Sequence, residues 1–234
     1  MAMIEERPEE YLRVIGLAAE RGERATTSYL AQRLSVSMPS ITEMLRRLSA
    51  KGLITHTPRR PARLTPEGQR QANSLIRRHR LWENFLVRCL GFSWDEVHDE
   101  AGRLEHATSP ALEERLAEFL GDLASCPHGH AIPGRTGQAG AAMAMPLSEF
   151  TTRGLTRVAR IQQEVPDFLR RLARLDIRPG QVIEVEGVSP EDGSVWVRVA
   201  GRLKEVAADL AGSVMVERSE EAQPVAVGGE ERSP

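Results

Sequence analysis

His79 and Glu83 stand four residues apart in the run RRHRLWENFLVRCLGFSWDEVHDEAGRLEH, residues 77–106. A helix through them shows an imidazole and a carboxylate on one face. After a break at Gly91-Phe92-Ser93, a second helix starting at Trp94 brings His98, Gly102 and Glu105 to one face at i, i+4 and i+7, with His106 beside Glu105. Both patterns are otherwise apolar, and charged groups are rarely buried unless paired or bound to a cation. Imidazole with carboxylate is a donor set that Mn²⁺ and Fe²⁺ accept. The sharper reading is that these helices hold divalent metal. The plainer reading is surface polar groups plus one buried ion pair.

The elements that must position these groups follow from periodicity and caps. PEEYLRVIGLAAER, residues 8–21, is an amphipathic helix with Pro8 in its first turn and Gly22 after it. Thr26 or Thr27 caps a short helix, SYLAQRL. Ser37 caps the next, PSITEMLRRLSAKG, in which Ile41, Met44, Leu45 and Leu48 form the apolar stripe. Short helix, tight turn, second helix is a helix-turn-helix pattern. Leu53-Ile54 and Arg63-Leu64 then read as two short strands around Thr57–Pro61, a basic wing. Thr65-Pro66-Glu67-Gly68 opens a long helix whose stripe runs through Ala72, Leu75, Ile76, Trp82, Phe85, Leu86 and Leu90, with Cys89 as core. That stripe is wider than the head needs, which points to self-association. Residues 109–123 form another amphipathic helix, capped by Ser109, with Leu112, Leu116, Phe119 and Leu120 apolar.

Cys126-Pro127-His128-Gly129-His130 packs three soft donors into five residues. Alone it could bind zinc, but no fourth ligand is evident nearby, and its Pro and Gly residues read as a rigid turn. Gly134–Ala144 reads as a flexible linker. Beyond it, 147–155 and 156–164 read as strands, Pro166–Leu175 as a short helix, and QVIEVEGV, SVWVRVAG and SVMVERS as further strands. Several short strands with one helix suggest a small β-barrel. The tail after Arg218 is charged and Gly/Pro-bearing, the composition of disorder.

Charge is unevenly spread. The net charge of the 234 residues is −2, yet twelve Arg/Lys between Arg24 and Arg80 face only Glu43 and Glu67. A basic surface on an acidic body suggests a nucleic-acid partner. Two cysteines make no disulfide framework, and no apolar run approaches the length of a membrane span or signal sequence. The expectation is a soluble cytoplasmic protein.

The stretches EEYLRVI, SVSMPSITEMLRRLSAKGLI, RLTPEGQRQA, RRHRLWENFLVRCLGFSWDEVHDEAGRLEH and CPHGHAIPG resemble the DtxR/MntR family of iron- and manganese-dependent transcriptional regulators. The resemblance implies a mainly α fold with small β units: a winged helix-turn-helix at 1–75, a helical metal-binding and dimerisation domain at 76–134, a linker at 135–149, an SH3-like (FeoA-like) barrel at 150–218 and a disordered tail at 219–234. It implies two metal positions per subunit. One uses Glu10, Glu105 and His106, with Gly102 where the family usually carries Cys or Glu. The other uses His79, Glu83 and His98, with Glu164 and Asp167 as further ligands from the C-terminal domain. It places Ser37, Pro39, Ser40 and Glu43 toward base edges, with Thr27 a further DNA-binding residue. Arg46, Arg47, Arg59 and Arg60 then meet phosphates. The absence of a cysteine from these faces favours Mn²⁺ or Fe²⁺ over Zn²⁺ or Cu(I), and Glu10, where iron-type members carry a softer Met, leans toward Mn²⁺.

The implied mechanism is a metal-dependent repressor. One ion held by Glu10 of the head and by Glu105 and His106 of the body fixes the spacing of two recognition helices on a palindromic operator in a homodimer. Without metal, Glu10 and Glu105 repel and the head wanders. Two other classes stand against it: a metal-independent regulator, in which Gly102 has ended sensing, and a metallohydrolase using His79, Glu83, His98 and Glu105.

Overall fold

The structure, a computed structural model, describes residues 8–57, 59–121, 123–134 and 144–219. The chain divides into two compact units, Met1–Ala141 and Ala142–Pro234. Most of the expected linker, the tail from residue 220 and Pro58 in the wing lie outside the described residues.

The first unit opens with α1 (Pro8–Glu20), α2 (Thr27–Leu34) and α3 (Met38–Ala50). Thr26 caps α2 by accepting from the Tyr29 N–H, and Ser37 caps α3 by accepting from the Ser40 N–H. Ser35 between them is left-handed at φ 54°, the tight turn of the helix-turn-helix. Leu30, Ile41, Leu45 and Leu48 are fully buried with Leu12 and Ile15 of α1. Each such side chain contributes on the order of 2 kcal/mol. β1 (Ile54–Thr55) and β2 (Arg63–Leu64) pair antiparallel as the base of the wing.

α4 runs unbroken from Pro66 to Leu90, across residue 75 where the sequence suggested a division. Its early turns pack on α1: a Cβ added at Gly16 would lie 3.2 Å from the Ala72 Cβ. Its later turns meet α5 (Val97–Glu105) and α6 (Pro110–Leu120), with the Trp82 indole N–H donating to Thr108 Oγ1 at 2.7 Å. α5 starts three residues later than the sequence suggested, because Trp94–Glu96 form turns. Cys89, expected in the core, is exposed instead. Leu90 at the end of α4, Phe92 after it, and Leu112 and Phe119 on α6 are exposed too.

The second unit is an antiparallel sheet in the order β3-β8-β4-β5-β6-β7, made of β3 (Met145–Pro146), β4 (Gly154–Ile161), β5 (Val182–Val188), β6 (Val195–Val199), β7 (Arg202–Val206) and β8 (Val214–Arg218). Register shifts at Val158/Arg160 and Val185/Gly187 bend it. Phe168, Leu169 and Leu172 of α7 (Pro166–Arg174) join Val158, Ile161, Ile183, Val185, Val195, Val197, Val214 and Val216 among the buried residues, and α8 (Ala208–Ala211) precedes β8. The sequence reading needs correction here. Of the two strands expected over 147–164, only β4 forms, and 145–149 is not linker. Met145–Pro146 pairs with β8, and Leu147–Glu149 is a 3-10 turn that buries Leu147 and is followed by buried Phe150. Those two residues are three apart, a turn spacing. The strand at Arg202–Val206 was missed because most of its side chains are exposed and it lacks alternation.

Candidate metal centre and DNA-facing head

Glu10 lies in the first turn of α1 and Glu105 ends α5, with His106 as that helix's cap. Their donor atoms, one from each residue, fall within 4.8 Å of one another. His106 Nε2 is 3.4 Å from Glu105 Oε1 and 3.6 Å from Glu10 Oε2. Its Nδ1 is buried with no hydrogen-bond partner among the described residues, 3.8 Å from Glu9 Oε2. The structure thus gathers the expected trio across two helices, and the oxygen-rich donor set fits a hard divalent cation.

The expectation that Glu10 and Glu105 repel does not hold. Arg13 donates to Glu10 from Nε at 3.1 and 3.2 Å and from Nη2 at 2.5 Å, and its Nε lies 3.6 Å from Glu105 Oε1. Burial raises the Glu10 pKa, but the Arg13 charge and hydrogen bonds outweigh it and hold the carboxyl below its ordinary range. Gly102 faces open space: a Cβ there meets nothing within 4 Å among the described residues. Room exists for the missing side-chain ligand.

The second expected group also forms. His79 Nε2 is 3.1 Å from both Glu83 Oε1 and His98 Nδ1, while His79 Nδ1 meets Glu105 Oε2 at 2.6 Å. His79 therefore joins the two clusters. Glu83 has a further neighbour that sequence reasoning missed. His128 Nδ1 lies 3.4 Å from Glu83 Oε1, and Cys126 completes a fully buried Glu83–Cys126–His128 group. The CPHGH segment is a turn, closed by Cys126 N–H to His130 C=O at 2.9 Å, and it also folds back onto α4. The expectation that no cysteine joins these faces, which set Zn²⁺ and Cu(I) aside, therefore fails. The signal was present in the three clustered soft donors, but their partner Glu83 is far away in sequence.

The protonation of this core follows from burial and charge. Burial opposes a charged His79, yet the Glu83 charge and the hydrogen bonds to Glu105 and Glu83 prevail and push its pKa up to about 9. Burial likewise opposes ionised Glu83, but His79 and His128 hold it well below the carboxylate range. A histidine pKa raised on folding stabilises fully below its unfolded value near 6.5 and loses that contribution as pH rises through about 9. The ion-free protein is therefore expected to melt at lower temperature at pH 9.5 than at pH 6.5, and His79→Gln to flatten that slope. Parallel slopes for wild type and variant would contradict this.

On the head, Pro39, Arg46, Arg47, Arg59 and Arg60 are exposed, Thr27 and Ser40 are half-buried, and Ser37 is exposed at the α3 N-cap. Arg59 has φ 66°. Glu43 accepts from Arg46 at 2.9 and 3.1 Å and from Arg47 at 3.1 Å, bonds that lower its pKa to about 2. A base contact by Glu43 would have to compete with both arginines. Glu164 and Asp167 belong to the second unit, between β4 and α7 and in the first turn of α7. Asp167 accepts from Arg170 at 2.5 Å.

Three family models match the chain in order: the iron dependent repressor N-terminal DNA binding domain over residues 3–62, the iron dependent repressor metal binding and dimerisation domain over 65–134, and the FeoA domain over 145–218. The diphtheria toxin repressor of Corynebacterium efficiens is 32% identical over 220 residues, covering 90% of this chain and 94% of that protein. The iron-dependent repressor IdeR of Mycobacterium leprae is 37% identical over 126 residues, covering 54% of this chain and 55% of that protein. Among solved structures, a manganese-dependent transcriptional repressor in complex with manganese superposes with a TM-score of 0.84 at 36% identity, covering 90% of this chain and 99% of that one. ScaR with bound Zn²⁺ gives 0.78 at 31% identity, with coverage of 91% and 100%. These relatives are transcriptional repressors and not enzymes, which removes the metallohydrolase reading. A winged head joined to a helical metal-binding and dimerisation domain and followed by an SH3-like unit places this chain in the diphtheria toxin repressor family of metal-dependent transcriptional repressors.

Proposed function

We propose that this chain senses Mn²⁺, and as a second reading Fe²⁺, and binds a palindromic operator as a homodimer only when the ion is held. One observation carries the proposal. The donor trio bridges elements, with Glu10 on α1, which packs in the head core, and Glu105 and His106 at the end of α5. An ion would supply a charge that all three donors share, locking α1 against α5. Exposed Leu90, Phe92, Leu112 and Phe119 on the helical part are the surface we assign to the second copy. Ser37, Pro39, Ser40, Glu43 and Thr27 would face bases, while Arg46, Arg47, Arg59 and Arg60 would face phosphates, in the cytoplasm where the operator lies.

We assign two ions per subunit. The first is held by Glu10, Glu105 and His106. The second is held around Glu83, by His79 and His98 or by Cys126 and His128. Oxygen-rich Glu10 and Glu105 favour Mn²⁺, whereas the Cys126 sulfur beside Glu83 is the observation that favours the softer Fe²⁺. In selection from a pool of random duplexes, palindromic sequences should be enriched with Mn²⁺ present and not without metal. Cys126→Ser should weaken Fe²⁺ and Zn²⁺ binding in calorimetry more than Mn²⁺ binding. Equal enrichment with and without every metal tested would discard the proposal.

A further inference from the structure

We infer that Arg13 is a built-in competitor cation that sets the metal concentration at which the Glu10–Glu105–His106 site fills. The inference rests on the metal-sensing reading above and goes beyond it, because Arg13 is no ligand. The guanidinium lies against the carboxylates that a divalent ion would need. Nε and Nη2 hold both oxygens of Glu10, and Nε reaches Glu105 Oε1 at 3.6 Å. Arg13 and Glu10 are one helical turn apart on α1, so this fork forms without moving any backbone. The side chain is only 13% exposed, so water screens the contact weakly.

The other faces of the trio are already taken. Glu105 Oε2 belongs to His79 Nδ1 at 2.6 Å, and His106 Nε2 stands 3.4 Å from Glu105 Oε1. Arg13 therefore faces the oxygens on the side left to it. A guanidinium cannot lose its charge at physiological pH, so Glu10 becomes available to a metal only when Arg13 gives it up. In the ion-free protein the same side chain links α1 to α5. Two properties then move together: losing the arginine charge weakens the empty state and strengthens metal uptake.

The test compares wild type, Arg13→Met and Arg13→Lys as full-length protein. Arg13→Met keeps the aliphatic stem and removes the charge; Arg13→Lys keeps the charge without the fork. Calorimetric titration with Mn²⁺ alone should show the first site tightened about tenfold in Arg13→Met, a difference of ~1.4 kcal/mol, with Arg13→Lys between. Melting of the ion-free protein should fall in Arg13→Met, and Mn²⁺ should raise its melting temperature more than it raises that of wild type. Unchanged or weaker Mn²⁺ affinity in Arg13→Met, with wild type binding normally, would overturn the inference. Should Arg13→Met not fold, an unchanged or weaker affinity in Arg13→Lys would overturn it equally. Absence of Mn²⁺ binding by wild type would instead overturn the metal-sensing reading.

Discussion

Glu105→Ala will bind operator DNA no better with Mn²⁺ than without it. In this variant both curves should fall on the ion-free curve of wild type, a loss of 5–150-fold for a coupling of about 1–3 kcal/mol. The size follows from how many groups Glu105 serves. It is 1% exposed, and its Oε2 meets His79 Nδ1 at 2.6 Å while its Oε1 faces Arg13 and His106. Removing it deprives the trio of the carboxylate that joins α5 to α1, and it takes from buried His79 one of its two carboxylates. Breaking a buried pair costs about 3–5 kcal/mol, so a lower melting temperature in the ion-free state is also expected. Glu105→Gln separates the two effects. The amide keeps the shape and an acceptor for His79 but is a poor ligand, so this variant should fold and still ignore metal. Fluorescence anisotropy on one selected duplex, with and without Mn²⁺, measures both. A Glu105→Gln protein that still tightens on DNA with Mn²⁺ would remove Glu105 from the mechanism.

The parts of this site that were legible in the sequence are those written along one helix. His79 with Glu83, and His98 with Glu105, announce themselves because the helical period puts them on shared faces, and Ser37 and Thr65 cap helices where short polar residues precede apolar periodicity. The family resemblance added Glu10, which no spacing links to Glu105. What stayed hidden depends on contacts between segments remote in sequence. Cys126 and His128 reach Glu83 only because the 126–131 turn folds back, held by the Ser125–Ala131 bridge and by Asn84, which donates to the Ser125 carbonyl at 3.2 Å. Arg13 stands between Leu12 and Val14 in α1, and nothing in that helix alone ties it to a metal site. Its role depends on the second carboxylate delivered by α5. In the small sheet, β7 escaped notice because a mostly exposed strand carries no hydrophobic alternation, and its hairpin is signalled only by Ala200 and Gly201, both at positive φ.

Gly68→Ala will destabilise the protein by about 2–4 kcal/mol, although alanine is normally the better helix former by ~1 kcal/mol. Gly68 lies in the first turn of α4, where the sequence offers no reason for a glycine. A Cβ built there would stand 1.9 Å from the Leu53 carbonyl oxygen and 2.9 Å from its carbon. That oxygen cannot easily retreat. It accepts the Thr65 N–H at 3.0 Å, Thr65 Oγ1 donates to the Gly52 carbonyl at 2.7 Å, and the same Oγ1 accepts the Gly68 N–H at 3.2 Å. Making room for one methyl therefore loosens the α4 cap and the entry to β1 together. This joint connects the wing to the helix that carries His79 and Glu83, so the damage should appear in DNA binding as well as in stability. Thermal melts should place Gly68→Ala roughly 5–15 °C below wild type. Its metal-loaded affinity for the selected duplex should also fall, with Mn²⁺ uptake by the remaining folded protein retained. Gly102→Ala is the control. It lies within α5 over open space, so the same chemical change should leave the melting temperature equal or higher. A Gly68→Ala protein that melts with wild type would mean that the Leu53 carbonyl yields without cost, and the rigid joint between wing and long helix would have to be abandoned.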